Sequence, residues 1–298
     1  MNDKTARRQL LAGMPTTERT LLLAGVSTLL VEGGDGPPIV LLHGPGEFAA
    51  KWLRVLPALM KSYRVIAPDL PGHGASEVTG GPLDADRVFA WLDAVIGRTC
   101  DTAPVLVGQT MAGAIAARFT ADHGDRVGSL VLVDTLGLAP FQPAPEFGLA
   151  LTAFLERPTA TTYEELWRRC AFDLNRMREA LGERWATLEA YSLDRAQSPL
   201  AQAALHALMQ EFGFPAIAPE VLDRIAVPTT LIWGRQDLAT SLTVAEAASS
   251  RYGWPLEVID DAADDPSMDQ PERLLDALDR HRARLREWLT TSTSPSQR

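Results

Sequence analysis

Apolar positions along the chain fall into two alternating patterns. Short continuous apolar runs, Pro38–Leu42, Tyr63–Ala67, Val105–Val107, Val127–Val133 and Thr229–Trp233, each stop at a glycine, proline or acidic residue or, for the first, at His43-Gly44. Runs of this length, without polar alternation, predict strands covered on both faces. Between them lie stretches with helical spacing: Phe48 to Met60, Leu83 to Ile96, the segment after Thr110, and a last helix from Pro271 to about Leu289. Strands alternating with helices predict a parallel sheet flanked by helices. Residues 1–19 read as a short helix and linker. Thr20 to Glu32 then runs into Gly33-Gly34-Asp35-Gly36, which has the composition of a hairpin turn. From about Leu138 to Pro219 the strand signal vanishes. Four helical stretches replace it, punctuated by Pro158, Gly182, Pro199 and Gly213, and they carry Phe147, Phe154, Trp167, Phe172, Trp185, Tyr191 and Phe212. An inserted helical lid fits this composition, with some of its aromatics turned toward a ligand. The division that follows is a first core part over 1–137, a lid over 138–219, a second core part over 220–290 and a polar tail over 291–298, expected to be disordered.

Composition narrows the partners. The 298 residues suit one α/β domain with an insertion, and 46% hydrophobic against 22% charged residues is ordinary for a globular protein. A net charge of −10 argues against a nucleic-acid partner. No apolar run reaches the length of a membrane span, and the apolar stretch after Arg7-Arg8 is too short for a secretion signal. Two cysteines, Cys100 and Cys170, make no disulfide framework and are expected as free thiols in a reducing cytoplasm.

The chemistry centres on Val105-Leu-Val-Gly-Gln-Thr-Met-Ala-Gly113. A buried strand stops at Gly108, a hydroxyl follows two residues later, and small residues open a helix. Gly108, Ala112 and Gly113 let strand and helix approach closely around a strained residue at the tip, Thr110. This stretch resembles the Gly-x-Ser-x-Gly nucleophile elbow of the α/β-hydrolase family, with threonine for serine and alanine for the second glycine. Val40-Leu-Leu-His-Gly44, Pro68-Asp-Leu-Pro-Gly-His-Gly-Ala-Ser76, Leu231-Ile-Trp-Gly-Arg-Gln-Asp237 and Gln270-Pro271-Glu272 follow the family's order from about residue 20 to 290. The resemblance implies an α/β-hydrolase fold: a mostly parallel eight-stranded sheet flanked by helices, with a helical lid.

The same resemblance implies a triad, and here the sequence departs from it. The family's base, a histidine just ahead of the last helix, falls on Asp264 in Asp261-Ala-Ala-Asp-Asp-Pro-Ser-Met-Asp-Gln-Pro271, with Asp265 as its neighbour. The formal triad is Thr110, Asp237 and Asp264. The oxyanion positions carried over are Pro45, which has no N–H, with Gly46 beside it, and Met111 after the nucleophile, flanked by Gln109. Among five histidines, His43 and His73 belong to loop motifs, His123 and His281 read as solvated, and His206 of the lid is the one placed to enter a pocket, together with Trp167. Threonine without a base is a poor nucleophile, so hydrolysis by the family route is disfavoured.

Two carboxyls under an apolar lid cannot both ionise cheaply, which suits acid/base chemistry such as elimination, isomerisation or cyclisation on a small, largely apolar molecule. Hydrolysis through Thr110, aided by His206 or a bound water, and silent ligand binding are the alternatives. Asp264 with Asp260, Asp261, Asp265 and Asp269 could equally form a solvated acidic loop. Their spacing matches no calcium loop, and no metal or cofactor is expected.

Overall fold

The computed structural model describes residues 3–292. A sheet runs through the molecule in the order β1 (Thr17–Leu23), β2 (Val26–Gly33), β4 (Arg64–Pro68), β3 (Pro38–Leu42), β6 (Val105–Gln109), β7 (Ser129–Val133), β8 (Thr229–Gly234) and β9 (Leu256–Ile259). The two-residue strand β5 (Glu77–Val78) adds to the edge of β2. Pairings from β4 to β9 are parallel, whereas β1 with β2 and β2 with β4 are antiparallel. Every residue of β3, β6, β7 and β8 is buried, as unbroken apolar runs require when both faces are covered.

Helices cover the two faces. The short α1 (Asp3–Leu10) and α2 (Leu56–Leu59), the last helix α13 (Pro271–Ser292) and much of the lid share one apolar core with alternate residues of the sheet. The other face is packed by α3 (Ala85–Thr99), α4 (Met111–Asp122) and α11 (Leu242–Tyr252). The lid, inserted between β7 and β8, consists of α5 (Pro145–Glu156), α6 (Ala160–Cys170), α7 (Leu174–Leu181), α8 (Glu183–Ala196) and α9 (Pro199–Leu208), closed by a π-type turn over Met209–Gly213. Two short helices, α10 (Pro219–Leu222) and α12 (Pro266–Asp269), finish the connections.

Several expectations need revision. The lid has five helices, because the chain breaks at Ala171–Asp173, where the Asp173 side chain caps α7 by accepting from Arg176 N at 3.0 Å. The hairpin turn lies at Ala24-Gly25, between β1 and β2, and both residues have positive φ. Gly33–Gly36 instead carries the chain across β4, and a Cβ on Gly34 would come 2.1 Å from the Tyr63 carbonyl oxygen. The stretch after Phe48 is a 3-10 turn, Ala49–Arg54, before α2, which starts at Leu56 with Pro57 in its first turn. Helix α13 runs through Ser292, so Thr290 and its two successors are helical; residues 293–298 of the expected tail lie outside the described residues.

His281 is not solvated. It is buried on the inner face of α13, one side of a stripe with Leu274 and Leu278, and its ring bridges Thr230 Oγ1 (2.9 Å) and Ser129 Oγ (2.8 Å). Burial lowers its pKa to about 4. The charges at Asp279, Arg280 and Arg282 masked a spacing of 4 and 3 that places 274, 278 and 281 on one face. His123 is half-buried, stacked on Phe119 with ring centroids 4.6 Å apart.

Candidate active site

The carboxyl ends of the parallel strands deliver the functional side chains to one place, as open α/β sheets generally do. The tightest delivery follows β6. Thr110 sits at φ +48°, ψ −118°, a conformation a β-branched residue adopts only under constraint. Its N–H donates to the Val133 carbonyl (2.9 Å), and its carbonyl accepts from Leu136 N (3.1 Å) and Thr135 Oγ1 (3.2 Å). Close packing holds the elbow from the other side: a Cβ on Gly108 would lie 2.5 Å from the Ala112 carbonyl oxygen, and one on Gly113 would lie 1.9 Å from Thr135 Oγ1. The Thr110 hydroxyl donates back to the Gln109 carbonyl at 2.9 Å, and no histidine ring nitrogen bonds to it.

The three strands beyond β6 end in carboxyls. Asp134 follows β7 at φ +44° and is fully buried; its Oδ1 accepts from Gly234 N at 2.8 Å. Asp237 follows β8 and takes N–H donors from Ala239 (2.7 Å) and Thr240 (2.9 Å) on Oδ1. Asp264 follows β9 and lines the cavity below the lid. Each keeps one buried oxygen without a hydrogen-bond partner: Asp134 Oδ2, Asp237 Oδ2 and Asp264 Oδ1. Burial, then the Asp237 charge, raises Asp134 and Asp264 well above the carboxylate range. Burial raises Asp237 to about 7 against the pull of its two amide donors. Three such groups cannot all be ionised near neutral pH, so protons reside in the cluster.

A second set of residues ties the loop after β9 to the elbow. Gln109 Nε2 donates to the Asp264 carbonyl at 3.0 Å, while Lys51 Nζ donates to Gln109 Oε1 and to Asp265 Oδ1 (3.1 Å). The Lys51 side chain is 3% exposed and also lies 3.4 Å from Glu47 Oε2. Burial opposes its charge, but the Asp265 and Glu47 carboxylates outweigh that and hold the ammonium above its ordinary value. Glu47 accepts from Gly44 N at 2.7 Å and faces the cavity; burial lifts it to about 7 despite Lys51. The sequence reading missed Glu47, Lys51 and Asp134. Lys51 stood in what read as a helical stretch; it lies in a 3-10 turn with its side chain buried. The charged residues Lys51 and Arg54 inside the otherwise apolar stretch 48–60 were the available signal.

The acidic stretch does not behave as one solvated loop. Asp260 is exposed and paired with Arg235, and Asp261 is exposed at φ +56°. Asp265, by contrast, is buried against Lys51 and Ser267 Oγ (2.7 Å), and Asp269 accepts from Phe172 N and Ala263 N and is raised by burial to about 7. No group of three or more His, Cys, Asp or Glu among the described residues is arranged to hold a metal ion.

The cavity above these groups encloses about 450 Å³. Pro45, Gly46, Gln109, Thr110 and Asp264 line it, as do Trp167 and His206 of the lid. Asp237 and Met111 do not; Met111 is fully buried beneath the elbow. Gly46 is at φ +72° behind Pro45. His43 is buried, its Nε2 accepting from Leu70 N at 3.0 Å and its Nδ1 2.8 Å from the Gly44 carbonyl oxygen. His73 also reaches the cavity wall, and burial lowers it to about 4. Cys100 and Cys170 are both free thiols; Cys170 lines the cavity, with its pKa raised well up by burial. Among the described residues no helix is long and apolar enough to cross a membrane.

Comparison with known proteins agrees with this architecture. Residues 37–271 match the family model described as alpha/beta hydrolase fold. The chain is 32% identical over 246 residues to 2-hydroxymuconate semialdehyde hydrolase of Pseudomonas sp. (strain CF600), covering 78% of this chain and 83% of that protein. It is 31% identical over 251 residues to pimeloyl-[acyl-carrier protein] methyl ester esterase of Aromatoleum aromaticum, covering 79% and 94%. Among solved structures, 2-hydroxy-6-oxo-6-phenylhexa-2,4-dienoate hydrolase from Rhodococcus sp. strain RHA1 superposes with a TM-score of 0.78 at 21% identity, over 89% of this chain and 98% of that one. A strained elbow after a central strand, a helical lid over the strand ends and a family match across most of the chain lead to one assignment: this protein belongs to the α/β hydrolase fold family.

Proposed function

We propose that the protein is an enzyme that transfers protons on a small, largely apolar substrate carrying an oxygen function, with Asp264 as acid/base and Thr110 as a hydrogen-bonding positioner. The observation that carries this reading is Asp264 itself. It lines an apolar cavity, keeps a buried oxygen without a partner, and shares charge with Asp237 behind it. A carboxyl held protonated near neutral pH can donate to a developing oxyanion or enolate and recover the proton afterwards. Burial, and then the charge of Asp237, which is anchored by two amides outside the cavity wall, keep Asp264 protonated.

A second reading, hydrolysis through the Thr110 hydroxyl, is favoured by the relatives, since both curated proteins named above are hydrolases. Against it stand the hydroxyl's bond to its own backbone neighbour and a missing donor at Pro45, each removing a feature of the family mechanism.

Two assays separate the readings. Deuterium exchange at the α-carbon of phenylalkyl ketones and aldehydes in D₂O, followed by proton NMR, reports proton transfer without requiring the natural product. Exchange above buffer that is lost in Asp264→Asn and kept in Thr110→Ala is expected. No exchange above buffer, or exchange that survives Asp264→Asn, overturns the first reading. Turnover of p-nitrophenyl esters that vanishes in Thr110→Ala establishes the second.

A further inference from the structure

The floor and the walls of the cavity carry opposite halves of a recognition device for positive charge. On the floor, Glu47, Asp264 and Asp265 line the cavity, with Asp134 and Asp237 buried behind them. Asp265 is 3% exposed and its Oδ2 has no hydrogen-bond partner. The positive charge built into this floor is Lys51, which is consumed by Asp265, Glu47 and Gln109 and does not line the cavity. Arg195 also lines the cavity, on the lid side, where it is paired with Asp194 at 2.8 Å and lies over the Tyr191 ring. His73, lowered to about 4 by burial, is neutral. The walls are aromatic: Phe141, Phe147, Phe154, Tyr163, Trp167 and Phe214 face the same space.

At Gly44-Pro45 the floor offers an anion little. Pro45 has no N–H, and Gly44 N already donates to Glu47 Oε2, so this loop presents a carboxyl where a ligand oxyanion would seek donors. Thr110 Oγ1 and Glu47 Oε2 both stand close to this loop: a Cβ on Gly44 would lie 2.6 Å from the first and 2.8 Å from the second.

We propose that the substrate of this cavity carries, besides the oxygen function named above, an alkyl or arylalkyl amine, bound as its ammonium over the carboxyl floor and between aromatic walls. This rests on the cavity being the substrate site, as in the reading above, but not on which reaction follows. The protons held by the crowded carboxyls are the measure of the missing cation: an ammonium replaces them, and the aromatic faces add attraction to its positive charge. The chain's net charge of −10 draws such cations in from solution. A carboxylate of the same shape meets like charge on this floor.

The test is binding, not turnover. Isothermal titration of the wild-type protein at pH 7 and low salt is carried out with three ligands of one shape: 4-phenylbutylamine, 4-phenylbutan-1-ol and 4-phenylbutanoate. The amine is expected to bind at least tenfold tighter than the alcohol, with the carboxylate weaker than both. In Asp264→Asn the amine's advantage over the alcohol shrinks several-fold. Equal or tighter binding of the alcohol or the carboxylate, or no measurable amine binding, overturns the proposal. Amine binding without any proton exchange or ester turnover sinks the reaction reading alone.

Discussion

Replacing Asp237 with Asn should make the protein more stable above neutral pH, even though the residue belongs to the site. Asp237 is held by burial at about 7 in the fold, against 3.8 as its ordinary value. Its pKa is therefore raised by folding, so the folded chain binds this proton more tightly than the unfolded chain. Below pH 3.8 both states hold it and the difference vanishes. As pH climbs from there to 7 the folded state loses ground, and above 7 the full cost applies. Three pKa units correspond to about 4 kcal/mol, and sharing of protons with Asp134 and Asp264 brings the expectation to roughly 2–4 kcal/mol. Asn suits the site sterically. Its Oδ1 can accept from Ala239 N and Thr240 N as the carboxylate does, and its NH₂ takes the place of the unpartnered Oδ2 in a neighbourhood of carboxyl acceptors. Urea unfolding, followed by tryptophan fluorescence at pH 8 and pH 4.5, reads the effect as a shift in midpoint at constant slope. The variant should be more stable by that amount at pH 8 and by much less at pH 4.5. A variant equally or less stable than wild type at pH 8, or a gap that widens on acidification, refutes the argument that Asp237 is strained by burial.

Three further substitutions probe the frame of the site. Lys51→Met leaves Asp265 and Glu47 buried without their cation and should cost about 3–5 kcal/mol in urea unfolding, whereas the neutral set Lys51→Met, Glu47→Gln and Asp265→Asn should recover most of it; a triple variant no better than the single one contradicts the ion-pair account. Gly113→Ala places a methyl 1.9 Å from Thr135 Oγ1, so a loss of at least about 1–3 kcal/mol is expected, and an unchanged midpoint would mean the strand–helix approach is looser than described. His281→Leu removes the bridge between Thr230 and Ser129 and should destabilise by about 1–3 kcal/mol with proton exchange and ligand affinity intact; a selective loss of activity would show that α13 reaches the site.

Legibility followed the range of the interactions. The strands from Pro38 to Trp233 were readable because burial on both faces leaves a local mark, an unbroken apolar run. The elbow was readable because Gly108, Thr110 and Gly113 are set by sterics within a few residues of one another. His281 was misread although its signal was present: the 3–4 spacing with Leu274 and Leu278 was overlain by neighbouring charges. The turn after Phe48 was misread because a 3-10 turn and an α-helix differ by little in composition.

By itself, then, the sequence determined the alternation of strands and helices, the lid insertion, the position of the strained Thr110 and the absence of a histidine ahead of the last helix. All of these are local properties, decided by hydrophobic period, by glycine sterics or by residue identity. Only the tertiary structure decided that Asp134, Asp237 and Asp264 share one charge environment, because they follow three different strands and meet through sheet order β7-β8-β9. It also decided that Lys51 and Gln109 fasten the Asp264 loop to the elbow, across 58 and 155 residues of chain. Charge coupling acts through space in a medium that burial has made poorly polarisable, and neither the separation nor the burial is written in the order of the residues.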